Sequence, residues 1–193
     1  MLNESLLRVI RLNDELSDII QGCIKGERNS QEKLYRMYYA KMFGVCCRYC
    51  HDYDEAKDLL QEAFIKVFEK IEQFRNKGSF EGWVRKIIVN TALEKYRKQT
   101  QTVHLDQLPE LHNEDNEEIE LNISMNEMLA LIQKLPDRYR MVFNMYAFED
   151  MTHKEISKQL NITEGTSKSD LFRARAILQK RICLKTGMVA KIG

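Results

Sequence analysis

Helix breakers are scarce in this chain of 193 residues. It contains only two prolines, Pro109 and Pro136, and eight glycines, and these residue types interrupt helices most strongly. Hydrophobic residues make up 44% of the chain, which is enough for packed cores, and charged residues at 31% suit a water-exposed surface. The sequence therefore predicts an all-α protein.

Charge divides the chain into three parts, although the formal net charge is only +1. Residues 1–100 carry a net charge of +3, residues 101–122 carry −7 without any basic side chain, and residues 123–193 carry +5. The acidic stretch is polar, contains one proline and lacks sustained periodicity, as is typical of a linker. We predict two small helical domains, 1–100 and 123–193, joined by an acidic linker over 101–122.

No targeting or membrane signal is recognisable in the sequence. Arg8, Arg11 and Asp14 interrupt the N-terminal apolar run, which is too short for a signal peptide. No stretch approaches the roughly 20 apolar residues that a membrane helix needs. Five cysteines, an odd number without disulfide-framework spacing, are typical of a reducing compartment. We expect a cytoplasmic protein without membrane insertion.

The segment DYDEAKDLLQEAFIKVFEKIEQF predicts a helix that begins after Asp52, which has capping-box spacing to Glu55. One face carries an apolar stripe predicted to be buried: Tyr53, Ala56, Leu60, Ala63, Phe64, Val67, Ile71 and Phe74. The opposite face carries acidic and amide side chains around one apolar residue, Ile65: Asp58, Gln61, Glu62, Glu69 and Glu72. This face suits docking onto a basic protein surface, and a solvated helix face with one incidental isoleucine fits the spacing equally well.

The segment FEGWVRKIIVNTALEKYRK predicts a helix capped by Ser79, with Phe80, Val84, Ile87 and Thr91 facing inward. An adjoining stripe combines an aromatic, an amide and two cations: Trp83, Lys86, Asn90 and Arg97. Aromatic rings stack on unpaired bases, amides bond base edges and cations hold phosphates. The stripe, with Asn76 in the preceding loop, predicts a contact with single-stranded nucleic acid. In the alternative interpretation, Trp83 belongs to the core and the cations are solvated.

After the acidic stretch, SMNEMLALIQKL predicts a helix stopped by Pro136, followed by a second helix capped by Asp137. The segment MTHKEISKQLNITEGTSKSDLFRARAILQKRI then predicts two helices joined by a very short turn, which is the pattern of a helix-turn-helix. Thr152 and Glu155 have capping-box spacing at the first of these helices, and Thr163 can cap the second.

The last predicted helix has an apolar side and a side of small and basic residues. Leu171, Ala174, Leu178 and Ile182 face inward, so the opposite side presents Gly165, Thr166, Ser169, Arg173, Ala176 and Lys180. Small residues let a helix end enter the roughly 12 Å major groove, where hydroxyls and arginine read base edges. Lys168 on the flank suits a phosphate, and a merely solvated basic helix is the alternative. Asp170 either repels phosphate or accepts a hydrogen bond from cytosine, and the sequence leaves both roles open.

Cys46, Cys47, Cys50 and His51 form a C-x-x-C-H cluster with the residue types of zinc, redox or haem-attachment sites. No second ligand pair is evident, and haem attachment requires an export signal, so buried cysteines near a helix end are the favoured interpretation. A phosphate-binding glycine loop and a catalytic side-chain set are also not recognisable. We therefore expect no enzyme activity, no metal site and no cofactor.

Three segments in this order resemble an extracytoplasmic-function (ECF) RNA polymerase sigma factor of the sigma-70 family. DEAKDLLQEAFIKVFEKIEQF resembles the helix that binds core polymerase, SFEGWVRKIIVNTALEKYRK the helix that engages the −10 element, and MTHKEISKQLNITEGTSKSDLFRARAIL the helix-turn-helix that reads the −35 element. The resemblance implies an all-α chain with a region 2-like domain and a region 4-like domain. It also implies three partners, namely core polymerase, promoter DNA and an anti-sigma protein.

The resemblance assigns roles to the matching positions. It implies polymerase binding by the helix segment around Ile65: Asp58, Leu59, Gln61, Glu62 and Phe68. It implies −10 contacts by the stripe and loop that include Trp83: Asn76, Lys86, Asn90 and Arg97. It implies −35 contacts by the last helix, whose basic side also includes Lys180: Thr166, Lys168, Ser169 and Arg173. The family often has a basic or amide residue in place of Asp170 and an apolar one in place of Ser167, which puts the details of −35 preference in doubt.

These observations predict a transcription initiation factor that binds core polymerase, recognises two promoter elements and assists melting. The alternative is a helix-turn-helix regulator that binds duplex DNA as a dimer without engaging polymerase. The acidic face around Ile65, the Trp83 stripe and the lack of a recognisable ligand-sensing domain favour the initiation factor. A helical adaptor protein would leave Arg173 and Lys180 unexplained.

Overall fold

The computed structural model describes residues 4–75, 77–102 and 123–186, with side chains over 14–75, 77–100 and 123–185. Within these ranges the chain forms α-helices and one short 3-10 turn and no strand, which confirms the all-α prediction: α1 Glu4–Ile24, α2 Arg28–Tyr49, α3 Tyr53–Lys70, the 3-10 turn Ile71–Gln73, α4 Phe80–Thr102, α5 Met125–Gln133, α6 Asp137–Ala147, α7 His153–Leu160 and α8 Glu164–Thr186. None of the helices so described is long and apolar enough to cross a membrane. The predicted contact residue Asn76 and residues 103–122 of the predicted linker lie outside the described residues.

The helices group into two compact units. The first takes the chain up to Cys46 together with Lys57–Thr91, and the second takes Cys47–Ala56 and the chain from Ala92 onward. Because these units follow contacts between helices, they divide α2, α3 and α4, whereas the predicted domain limits at 100 and 123 follow composition. Those limits stay a prediction.

The core of the first unit lies between α2, α3 and α4. Leu34 and Met42 of α2 are buried, as are Val84 and Ile88 of α4. Most of the predicted α3 stripe is also buried, with Leu60, Ala63, Phe64, Val67 and Ile71 in this unit and Ala56 in the part of α3 that belongs to the second unit. Two members depart from it, since Tyr53 at the helix start is 54% exposed and Phe74 is half-buried beyond the helix end. The helical period thus identifies the buried side of α3.

Side-chain caps fix where α3 and α4 begin. Asp52 Oδ1 accepts a hydrogen bond from the backbone N–H of Glu55 at 2.8 Å, and Ser79 Oγ accepts one from Gly82 at 3.1 Å. Both caps were predicted from the sequence. Each accounts for one of the N–H groups that a helix start leaves without an intrahelical acceptor.

The second unit has a core built from α5, α6 and α8. Its buried members are contributed by α5 with the following turn, by α6 and by α8: Leu131, Ile132, Leu135, Tyr139, Ala174, Leu178 and Ile182. Ser124 starts α5 with a capping box to Glu127. The prediction for α6 was wrong, because Pro136 occupies the N-cap and Asp137 is the first helical residue. The Asp137 carboxylate instead accepts a hydrogen bond from Arg140 Nη2 at 2.7 Å.

The C-terminal end of α2 is also part of the second unit, and side chains from α5 and α6 cap it. The last carbonyl groups of a helix have no intrahelical donor. Three of them accept side-chain hydrogen bonds: Cys47 O from Gln133 Nε2 at 3.1 Å, Arg48 O from Asn144 Nδ2 at 2.7 Å and Tyr49 O from Arg140 Nε at 3.2 Å. Capping by residues distant in sequence therefore links this helix end to α5 and α6.

Candidate nucleic-acid and protein interfaces

The buried side of α8 determines which side chains the helix can offer to a ligand. Leu171, Ala174, Leu178 and Ile182 are at most 5% exposed, as the apolar period predicts. On the opposite side the predicted contact residues remain accessible: Lys168, Ser169 and Lys180 are exposed, and Thr166 and Arg173 are half-buried. The structure therefore brings the five predicted −35 residues to the accessible side of one helix.

Hydrogen bonds order the first turns of this helix. Thr163 Oγ1 accepts from the backbone N–H of Thr166 at 3.0 Å, so the predicted cap is confirmed. Ser169 Oγ donates to the carbonyl of Thr166 at 3.0 Å. A hydroxyl that donates its proton keeps lone pairs on its oxygen, so Ser169 can still accept a hydrogen bond from a base amino group.

Asp170 has a structural role that the sequence did not reveal. Its side chain is fully buried, and it forms a two-point ion pair with Arg138 of α6: Nε to Oδ2 at 2.7 Å and Nη2 to Oδ1 at 3.1 Å. Burial raises the pKa of Asp170, and the hydrogen bonds and charge of Arg138 oppose that rise. Because the carboxylate faces the interior, it neither repels DNA phosphates at close range nor contacts a base.

A contact between α7 and α8 was also missed. Ser167 is fully buried, and its Oγ lies 2.9 Å from His153 Nδ1. The His153 ring stacks on Tyr146 with centroids 5.0 Å apart, and the guanidinium carbon of Arg175 lies 5.5 Å from the centroid of the Tyr146 ring. Ser167 and Asp170 both differ from the residue types that are common in the family, and they lie close together in the sequence. This was the only sequence signal of altered packing here.

The predicted protein-binding face of α3 is accessible with one exception. Asp58 and Gln61 are exposed, and Ile65 is 59% exposed. Glu62 is half-buried, and its carboxylate lies 3.1 Å from Lys66 Nζ. Leu59 is only 1% exposed, so its assignment to this face is corrected: it packs in the core, next along the chain to the buried Leu60.

Phe68, the last predicted member of this face, is half-buried at one end of an aromatic row that was not predicted from the sequence. Neighbouring ring centroids in the row are 4.7–5.9 Å apart, and the row runs from α2 to α3: Phe43, Tyr39, Tyr35, Phe64 and Phe68. Tyr39 is 38% exposed and Met37 is 46% exposed. The accessible apolar surface in the first unit therefore extends beyond Ile65.

The α4 stripe is only partly separate from the core. Trp83 is half-buried, with its ring centroid 5.6 Å from that of Phe74 and 5.5 Å from that of Phe80. Lys86 and Asn90 are exposed on the following turns. Arg97 is also exposed, but it lies in the part of α4 that belongs to the second unit, where its Nη1 is 3.5 Å from the carbonyl of Gln159.

The cysteine cluster has the burial expected for core residues. Cys46, Cys47 and Cys50 are buried and form no disulfide, and burial raises the pKa of Cys47, which lowers its reactivity as a thiolate. Over the described parts of the chain, no three or more histidine, cysteine or acidic side chains are grouped so that they could hold a metal ion.

Both halves of the sequence match sigma-70 families. The Sigma-70 region 2 family matches residues 34–102, which contain the predicted polymerase-binding face and the α4 stripe. The Sigma-70 region 4 family matches residues 125–178, which contain Thr166, Lys168, Ser169 and Arg173. Lys180 lies just past that match.

Similar proteins include curated sigma factors. ECF RNA polymerase sigma factor SigW of Bacillus subtilis (strain 168) is 28% identical over 177 residues, covering 82% of this chain and 91% of that protein. RNA polymerase sigma-H factor of Pseudomonas aeruginosa is 26% identical over 177 residues, covering 85% and 92%. The solved structure of sigma factor RpoE in complex with the anti-sigma factor NepR from Bartonella quintana is 17% identical, covers 77% of this chain and 94% of that chain, and has a TM-score of 0.46. Since the region 2 and region 4 families match in chain order and ECF sigma factors align along most of the sequence, the chain belongs to the sigma-70 family as an ECF sigma factor.

Proposed function

We propose that this sigma factor binds core RNA polymerase, recognises the −10 and −35 promoter elements and helps to melt the upstream edge of the transcription bubble. The observation that carries the proposal is the accessible side of α8, which combines the hydroxyl residues Thr166 and Ser169 with three cations, Lys168, Arg173 and Lys180. Ser169 and Arg173 would contact base edges in the major groove, and Lys168 and Lys180 would contact phosphates. The polymerase supplies the chemistry.

The accessible stripe of α4 supports a contact with the melted −10 element. Lys86 and Asn90 are exposed, so they can reach a phosphate and a base edge. Trp83 keeps one part of its ring accessible while Phe74 and Phe80 hold the other part. A ring fixed in this way can stack on an unpaired base with little loss of side-chain freedom on binding.

The α3 face supports polymerase binding. Ile65 is 59% exposed and is flanked along the helix by the acidic and amide side chains of Asp58, Gln61 and Glu62. An apolar contact at the centre of an interface, surrounded by charged residues, is a common source of binding energy. The acidic residues would favour a basic surface on the partner.

Replacing Ile65 with glutamate is expected to lower the affinity for core polymerase at least about tenfold, because a carboxylate would have to be buried in place of an apolar side chain. The fold should persist, since Ile65 is mostly in solvent. The affinity is measured by titrating labelled chain with purified core polymerase. Leu184→Glu, at a position 76% exposed near the end of α8, is the matched control. Equal affinities for the Ile65→Glu and Leu184→Glu variants would contradict the assignment of this face.

An anti-sigma protein stays a prediction of the family resemblance. The alternative function, a helix-turn-helix regulator, differs in its requirement for polymerase. A sigma factor makes core polymerase start transcription at defined sites in run-off assays, whereas such a regulator binds duplex DNA alone and does not confer start-site selection on the core enzyme.

A further inference from the structure

His153 lies where α6, α7 and α8 meet. Its Nδ1 is 2.9 Å from Ser167 Oγ, and its ring is stacked on Tyr146 with an interplanar angle of 25°. The buried Ser167 and the Tyr146 ring together fix the orientation of the imidazole. Nε2 is the ring nitrogen that Ser167 does not engage.

The charges around His153 come mainly from α8. Tyr146 of α6 stacks on its ring, and three charged residues of α8 act on its pKa electrostatically: Glu164, Lys168 and Arg175. The pKa of His153 is lowered, first by burial and then by the positive charges of Lys168 and Arg175, while Glu164 opposes that effect. The free protein therefore holds a neutral imidazole beside two cations at neutral pH.

We propose that His153 is a phosphate contact of the −35 site and takes up a proton from solvent when α8 binds the duplex. The inference rests on the proposed function of α8, and it deepens that function by adding a contact residue and a pH response. A phosphate held by Lys168 would bring negative charge close to the imidazole. That charge would offset the repulsion from Lys168 and Arg175 and favour the imidazolium, which can donate a hydrogen bond to a phosphate oxygen.

The proton uptake makes DNA affinity depend on pH. Since the DNA-bound state would hold a proton on His153 that the free state lacks near neutral pH, affinity rises as pH falls through the pKa of the bound state. Apart from His153, the variants of this position leave every ionisable group of the chain in place. A substitution at His153 alone therefore isolates its contribution.

The test compares wild-type, His153→Gln and His153→Phe chains, each assembled with core polymerase. The probe is a labelled duplex fragment carrying only the −35 half of a promoter mapped by run-off transcription. The measured quantity is the affinity ratio of wild type to variant at pH 8.0 and at pH 6.0, because this ratio cancels the pH response of the polymerase. The phenylalanine variant keeps a ring on Tyr146 but cannot titrate.

We expect the ratio to increase about fivefold between pH 8.0 and pH 6.0 for both variants. The control His51→Gln, at an exposed histidine whose Nε2 lies 2.7 Å from Asp137 Oδ1 of α6, should leave the pH response unchanged. Arg173→Ala should weaken binding at every pH without changing the pH response. A ratio that does not change with pH, with wild-type binding intact, would overturn the role of His153 and leave the proposed function standing. Failure of the wild-type holoenzyme to bind the fragment at any pH would overturn both.

Discussion

Replacing Arg140 with alanine is expected to lower the free energy of unfolding by about 3–5 kcal/mol, because several buried carbonyl groups would lose their donor at once. The Arg140 side chain is 3% exposed. Its guanidinium donates to the carbonyls of Tyr49, Gln133 and Leu135 at 3.1–3.2 Å and to Asp137 at 2.7 Å. Each buried acceptor left without a partner costs about 1–3 kcal/mol. Urea unfolding followed by far-UV circular dichroism measures the loss.

Two variants sharpen this test. Arg140→Lys keeps the positive charge and an N–H donor but lacks the planar guanidinium that donates several hydrogen bonds at once. We therefore expect an intermediate loss of unfolding free energy. Arg36→Ala makes the same chemical change on the exposed face of α2, where Arg36 pairs with Glu32 in solvent, and should change stability by no more than about 0.5 kcal/mol. If Arg140→Ala were as stable as Arg36→Ala, the capping of the α2 end by Arg140 would contribute nothing to stability.

Replacing Asp170 with alanine is expected to cost about 2–4 kcal/mol of unfolding free energy. Removing one member of a buried ion pair leaves the other charge uncompensated, which typically costs about 3–5 kcal/mol. The Arg138 side chain is 20% exposed, so water can partly replace the lost partner and the cost is smaller. Differential scanning calorimetry measures this loss. Affinity for a −35 duplex per folded molecule should not change, because Asp170 faces the interior of the second unit.

The substitution Asp170→Asn removes the charge of the side chain while keeping its size. The pKa of Asp170 is raised because burial disfavours the carboxylate more than Arg138 favours it. Asparagine removes the charge but keeps a side-chain oxygen that can accept a hydrogen bond from Arg138, so it should cost less than alanine. The folded chain binds the Asp170 proton more readily than the unfolded chain. The contribution of this group is therefore greatest at acidic pH and declines as pH rises through its folded pKa. Asp170→Asn should remove that decline, and an unchanged pH profile would contradict the raised pKa.

The sequence predicted those features that depend on spacing within one helix. The buried sides of α3 and α8 follow from helical periodicity, and the caps at Asp52, Ser79, Thr152 and Thr163 were predicted because a cap joins residues only two or three positions apart. The same local reasoning identified the accessible side of α8. That reasoning did not predict which residue of another helix each side chain contacts.

The missed features depend on contacts between distant segments. Asp137 has the residue type and position of a cap, but Arg140 and His51 contact its carboxylate and Pro136 occupies the N-cap. Leu59 was assigned to the polymerase-binding segment by the family resemblance, although packing buries it. The partner of Asp170 is Arg138, 32 residues away. Such pairings depend on how helices pack, and one sequence does not specify that packing.

Run-off transcription with purified core polymerase on a genomic DNA library is the direct test of promoter recognition by this chain. The wild-type chain is added to the core enzyme, and the transcript starts are mapped and compared with those of the core enzyme alone. We expect a discrete set of starts, each preceded by two shared sequence elements, that appears only when the chain is present. If a chain that remains folded by circular dichroism gave the same starts as the core enzyme alone, it would not be the initiation factor proposed above.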